Sequence, residues 1–235
     1  MVDAPIVARN SATGSRREVA LAADARTLLG LLDIPTDARG LVLFAHGSGS
    51  SRLSPRNTSV AGELWQAGLA TLLFDLLSED EERIDAQTRE LRFDIPLLTR
   101  RLIAATHWVQ AQPELRRLPI GYFGASTGAA AALSAAAQIP TVSAVVSRGG
   151  RPDLAGDALA HVRAATLLIV GGRDREVLDL NRHALARITC TARLEIVPGA
   201  THLFEEPGAL ERVAALAAGW FSTQLVLPAQ ATTAA

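Results

Sequence analysis

The 235-residue sequence predicts an α/β fold built on a mostly parallel sheet with helices on both faces. Three observations lead there. Short apolar runs such as Leu41-Val42-Leu43-Phe44-Ala45 have the unbroken character of strands buried on both sides. They alternate with segments of helical length whose apolar residues recur every three or four positions. The composition, 49% hydrophobic and 20% charged, is that of a chain able to bury a large core rather than a disordered one.

Taken in order, residues 17–22 and 26–32 read as two short extended segments separated by polar residues. The turn Pro35-Thr36-Asp37 leads into a buried strand at 41–45, then a helix over 58–67 that Gly68 stops. A second buried strand, 70–74, ends at Asp75. The acidic run Glu79-Asp80-Glu81-Glu82 reads as a solvated loop near the rim of the sheet. The helix over 94–110 shows its apolar stripe in Ile95, Leu98, Leu102, Ala105 and Val109. Strand 119–123, helix 127–137, strand 142–146, a short helix at 154–162, strand 166–170, helix 176–188 and strand 192–197 continue the alternation. The last helix, 207–221, carries Leu210, Val213, Ala214, Ala217 and Phe221 on one face, and the tail from Leu225 reads as frayed. No repeat, linker or low-complexity boundary interrupts the chain. One domain over 1–235 is therefore expected, with its core at about 16–222.

Several function classes are excluded by composition. The net charge of -1 provides no overall attraction to nucleic acid or to an anionic membrane. All 23 basic residues are arginine, which removes Schiff-base lysines and the phosphate-loop lysine. Cys190 is the one cysteine, so neither an intrachain disulfide nor a cysteine zinc cluster can form. Residues 1–15 lack the pattern of a signal peptide, and no run approaches the ~20 apolar residues that cross a bilayer. A cytoplasmic protein acting on a small-molecule substrate, with no nucleic-acid or membrane partner, is the expectation; oligomeric state is not legible.

The sharpest local signal is Gly124-Ala125-Ser126-Thr127-Gly128, which leaves a buried strand and opens an alanine-rich helix. A nucleophile on such a turn has a strained backbone, and glycines two residues to either side relieve the crowding. A serine hydroxyl needs a base, and the base needs an acid to orient it. Asp174 follows the buried strand 166–170 and His202 follows the last strand, so both fall on the rim that carries Ser126. Singly, Asp174 also fits a helix N-cap before Glu176, and His202 a loop histidine; Asp75 is the alternative acid. The small-residue loop His46-Gly47-Ser48-Gly49-Ser50-Ser51 can bring backbone amides close to a substrate oxygen. With it, the amides of Ser48 and Thr127 are the candidate oxyanion donors. A nucleotide-binding reading of that loop fails, because Arg52 stands where G-x-G-x-x-G needs glycine. His46 is expected to support its loop, and His107, His161 and His183 to lie at the surface. Arg52 and Arg56, with Arg148 and Arg151 around Gly149-Gly150, could converge on one anion. Arg52 and Arg148 are the candidate substrate-binding residues, and an anionic substrate follows if they are free. The competing reading pairs these arginines with loop carboxylates such as Glu79–Glu82, Asp153 or Asp157.

On His46-Gly47-Ser48-Gly49, Phe74-Asp75-Leu76, Gly124 to Gly128, Gly172-Arg173-Asp174 and Gly199-Ala200-Thr201-His202, the chain resembles the dienelactone hydrolase-like branch of the α/β-hydrolase superfamily. The resemblance covers about 16–222. It implies a central eight-stranded, mostly parallel sheet, little or no lid, no metal or organic cofactor, and cleavage of an ester, lactone or thioester. Dienelactone hydrolases proper carry cysteine where this chain has Ser126, so a dienelactone substrate is not implied. Two other readings stay open: an acyltransferase using the same triad, and a non-catalytic binding protein on a hydrolase fold.

Overall fold

A computed structural model describes residues 14–226. Two long strands open it, β1 (Gly14–Ala23) and β2 (Arg26–Pro35), paired antiparallel as a hairpin. The buried runs follow as β3 (Leu41–Ala45), β4 (Ala70–Phe74), β5 (Ile120–Ala125), β6 (Val142–Arg148) and β7 (Ala165–Gly171), and the half-exposed β8 (Ala192–Val197) comes last. They form one eight-stranded sheet in the order β1-β2-β4-β3-β5-β6-β7-β8. The β1–β2 and β2–β4 pairings are antiparallel, and all the others are parallel. Parallel neighbours need crossovers, and these are the helices α1 (Pro55–Gln66), α2 (Glu79–Thr88), α3 (Ile95–Ala111), α4 (Thr127–Gln138) and α5 (Arg175–Leu185). A final helix, α6 (Ala209–Gln224), follows β8. A kinked 3-10 segment, Pro152–His161, is all the helical structure between β6 and β7.

The two faces are visible in the alternation of β3. Leu41, Leu43 and Ala45 join the core under α3 and α4, whereas Val42 and Phe44 join the core under α1 and α6. Each large side chain buried this way stabilises the fold by about 1.5–3 kcal/mol. On the second face a Cβ at Gly121 would stand 2.6 Å from the Phe221 ring, so only glycine there lets α6 approach β5.

Three expectations change. The acidic run is not a loop. It is the first turn of α2, where Ser78 and Glu81 form a reciprocal capping box and four carboxylates meet the positive end of the helix dipole. The first crossover helix begins three residues before the expected 58, because Ser54 caps it and Pro55 occupies its first turn. Leu225, expected to fray, is buried in the α1–α6 core, and a Cβ at Gly40 would meet it at 2.9 Å. The rest of the expected tail (227–235) and residues 1–13 lie outside the described residues. Among the described residues no helix is long and apolar enough to cross a membrane.

Candidate active site

Strand β5 lies in the middle of the sheet and delivers Ser126 to its C-terminal edge. There the backbone turns at φ 50, ψ -120, a conformation that non-glycine residues avoid. The surroundings hold it in place. The Ser126 amide donates to the Arg148 carbonyl at 3.2 Å, and its own carbonyl accepts from Ala129 and Arg151 at 3.1 Å each. A Cβ at Gly124 would fall 2.4 Å from the Ala129 α-carbon, and one at Gly128 only 2.1 Å from the Ala45 carbonyl oxygen. The glycines on either side of Ser126 are therefore required by close backbone approach.

Asp174 follows β7 and His202 follows β8, and the structure brings them together: His202 Nδ1 donates to Asp174 Oδ2 at 2.6 Å. Asp174 occupies the N-cap position of α5 but makes no capping bond, since its carboxylate is turned to the imidazole. Ser126 Oγ makes no hydrogen bond to His202 or to any other described side chain. Between them runs Arg148-Gly149, where a Cβ at Gly149 would lie 3.1 Å from the His202 carbonyl and 3.5 Å from its Nδ1.

The loop after β3 meets Ser126 directly, since a Cβ at Gly47 would be 3.1 Å from Ser126 Cβ. Ser48 and Thr127 line one cavity together with His46, Gly47, Gly49, Leu76, Leu77 and Glu82. Their backbone amides have no acceptor among the described residues. The loop is tied to the end of β4 twice. His46 Nε2 accepts from the Leu76 amide at 3.0 Å, which leaves the proton on Nδ1 to donate to the Gly47 carbonyl at 3.0 Å. Burial pushes the His46 pKa below its usual value, with smaller opposing effects from Gly47 and Asp75. The second tie is Arg52, whose amide donates to Asp75 Oδ1 at 2.7 Å while its guanidinium pairs with Oδ2.

Arg52 is thus engaged by Asp75 through its amide and one guanidinium nitrogen and braces the loop, and it is Asp174, not Asp75, that bonds His202. Arg151 is likewise held, by both oxygens of Asp153 at 2.9 and 2.8 Å. Arg56 touches Glu205 at a long 3.4 Å, and its Nε is buried without a partner. Among the described residues Arg148 has no hydrogen-bond or ion-pair partner for its guanidinium. It is 8% exposed, its Nη1 is orphaned, and burial with Arg56 opposite lowers its pKa to about 10. It keeps its charge at neutral pH. The remaining histidines, His107, His161 and His183, are exposed, as expected.

Glu82, from the acidic run, lines the cavity beside Ser48 and Thr127, with its pKa raised by burial and by Asp85 and Asp75. Arg92 lines the same cavity and is anchored by Asp85, its Nε donating at 2.6 Å. Arg92 was missed, because it follows a helix that the sequence reading took for a loop. Among the described residues no group of three or more His, Cys, Asp or Glu side chains is placed to hold a metal ion.

This sheet order, with a strained serine after its central strand and a hydrogen-bonded Asp–His pair on the same rim, defines an α/β-hydrolase. The chain matches the dienelactone hydrolase family over residues 30–227, and it belongs to that family. It is 58% identical to a dienelactone hydrolase from Anabaena variabilis, whose crystal structure superposes with a TM-score of 0.89 over 90% of this chain and 99% of that one. Two curated proteins from two strains of Mycobacterium tuberculosis, both provisionally named phosphoribosyl transferase, are 59% identical over 213 residues. The alignment takes in 90% of this chain and 47% of theirs, so the chain spans about half the length of those relatives. Est1E from Butyrivibrio proteoclasticus shares the fold, with a TM-score of 0.74 at 16% identity over 88% of this chain and 98% of its own.

Proposed function

We propose that the protein hydrolyses a carboxylic ester, lactone or thioester of a small substrate through an acyl-enzyme on Ser126. The observation that carries this reading is the 2.6 Å bond from His202 Nδ1 to Asp174, on the rim where Ser126 is held at φ 50. With Nδ1 committed to the carboxylate, Nε2 is the imidazole's free base. It takes the Ser126 proton as Oγ attacks the carbonyl carbon, and the Ser48 and Thr127 amides stabilise the oxyanion that forms. The proton then passes to the leaving oxygen or sulfur. Water repeats the cycle on the acyl-enzyme, releasing the acid and restoring Ser126.

The transferase in the curated relatives' name describes proteins twice as long. For this chain the ester reading is supported instead by its own hydrolase sheet and Asp174–His202 pair. The test is labelling with a fluorophosphonate and mass mapping of the adduct, with p-nitrophenyl acetate turnover read in parallel. The adduct should sit on Ser126 alone, and Ser126→Ala should lose about 10⁴–10⁶-fold in kcat while keeping its fold. Wild-type turnover by folded Ser126→Ala would overturn the assignment.

A further inference from the structure

Arg148 is an uncommon residue for its position. It ends β6, where Ala144 and Val146 point into the α1–α6 core, and by the same alternation its side chain follows them. A guanidinium taken out of water normally acquires a carboxylate, because burying an unpaired charge costs several kcal/mol. Arg148 has none. The ionised group nearest in effect is another cation, Arg56 in the first turn of α1, whose Nε is also orphaned and whose only carboxylate is the largely exposed Glu205 at 3.4 Å. Close by in sequence, Asn57 is 2% exposed with an unpartnered Oδ1. Arg148 is also joined to the reactive centre, since its carbonyl holds the Ser126 amide and the next residue packs against His202.

We propose that Arg148 and Arg56 form an anion subsite beside Ser126, and that the ester this protein cleaves carries a phosphoryl group held there. The proposal rests on the ester-hydrolase reading above. The phosphoryl group is a handle, and the bond broken is still the acyl bond at Ser126. Charge favours phosphoryl over carboxylate. Arg148 is buried with an unpartnered Nη1, and Arg56, whose charge acts on it, meets among the described residues only the largely exposed Glu205 at 3.4 Å, whereas a phosphate monoester brings a charge of about -1.5 to -2 with three acceptor oxygens. A carboxylate brings one charge and would leave one arginine uncompensated. Both arginines present the planar fork that grips such oxygens in pairs.

The experiment compares three p-nitrophenyl esters of similar length, one with a phosphate at the far end of the acyl chain, one with a carboxylate there and one neutral. In parallel, inorganic phosphate is titrated into the protein during thermal melting. The wild type should prefer the phosphorylated ester in kcat/KM over both others. In Arg148→Met the ratio of phosphorylated to neutral ester should fall by about 10–100-fold, the loss of one charge-assisted contact. Arg148→Lys should recover part of it, and Arg56→Gln should move the ratio the same way by less. Millimolar phosphate should raise the wild-type melting temperature and leave that of Arg148→Met unmoved. Should Arg148→Met fail to fold, the Arg56→Gln ratio and the wild-type phosphate shift decide the question. Hydrolysis with no phosphoryl preference overturns the subsite and spares the hydrolase reading, as does a phosphate shift that survives in Arg148→Met. A preference for the carboxylate ester overturns the phosphoryl assignment. Hydrolysis of none of the three, with Ser126 unlabelled, overturns the underlying reading instead.

Discussion

Two walls flank Ser126, and they are built on opposite terms. On one side the buried and charged side chains of the loop after β3 are paired: both nitrogens of His46 are bonded, and Arg52 grips Asp75 with its amide and its guanidinium. On the other side, where β6 ends and α1 begins, Arg148 Nη1, Arg56 Nε and Asn57 Oδ1 are buried without partners. The two arginines differ little as residues; what separates them is whether a carboxylate lies within reach. A paired wall keeps its shape unaided, as an oxyanion loop must if its amides are to meet developing charge without reorganising. An unpaired wall lowers stability, and such spots concentrate where a molecule binds.

The contrast can be broken from either side. The largest effect should come from Asp75→Ala, which strands the partly buried Arg52 and frees the loop. Destabilisation of about 2–3 kcal/mol is expected, with a melting temperature lower by roughly 5–10 °C and a matching loss of ester turnover. Restoring an apolar contact in Arg52→Met/Asp75→Leu should recover much of the stability but not the turnover. Arg148→Met should go the other way, raising the melting temperature by a few degrees without phosphate, because it removes an unpaired buried charge. If it lowers the melting temperature as Asp75→Ala does, the two walls are not different in kind.

Smaller effects sharpen the comparison through pH. His46 has a folded pKa below its unfolded value, so its contribution is fully present above about pH 6.5 and is lost as pH falls below that. Denaturant melts from pH 7.5 to 5 should therefore show stability falling with acid, by at most about 1.4 kcal/mol per pH unit from this residue. His46→Gln should flatten that part of the slope. Glu82 has the reverse sign: its raised pKa means stability present in acid and lost as pH rises through the folded value. Glu82→Gln should give the smallest change of the set, a slight gain in stability at pH 7 that disappears near pH 4.

What the sequence made legible follows from what is local in it. Ser126, Asp174 and His202 each follow the C-terminal end of a parallel strand, so the sheet brings them to one edge, and their order could be read along the chain. The start of α2 was equally local, in Ser78 and Glu81, but a run of four acids drew attention to charge and away from the cap. Pairing is another matter. Arg52 finds Asp75 across 23 residues and Arg56 finds Glu205 across 149, and no spacing rule singles out either partner. The free arginine could be found only once the others had been matched in three dimensions.

The turn at Ser126 constrains the backbone more than the end of the side chain. What the elbow constrains is the backbone and the first side-chain carbon, through φ 50 at position 126 and the near-contacts that admit only glycine at 124 and 128. Serine and cysteine are identical up to that carbon and differ only in the atom beyond it. The scaffold is therefore indifferent to whether oxygen or sulfur is presented. Exchanging serine for cysteine at 126 is one substitution deep, with no rebuilding of the strand, the turn or the helix that follows.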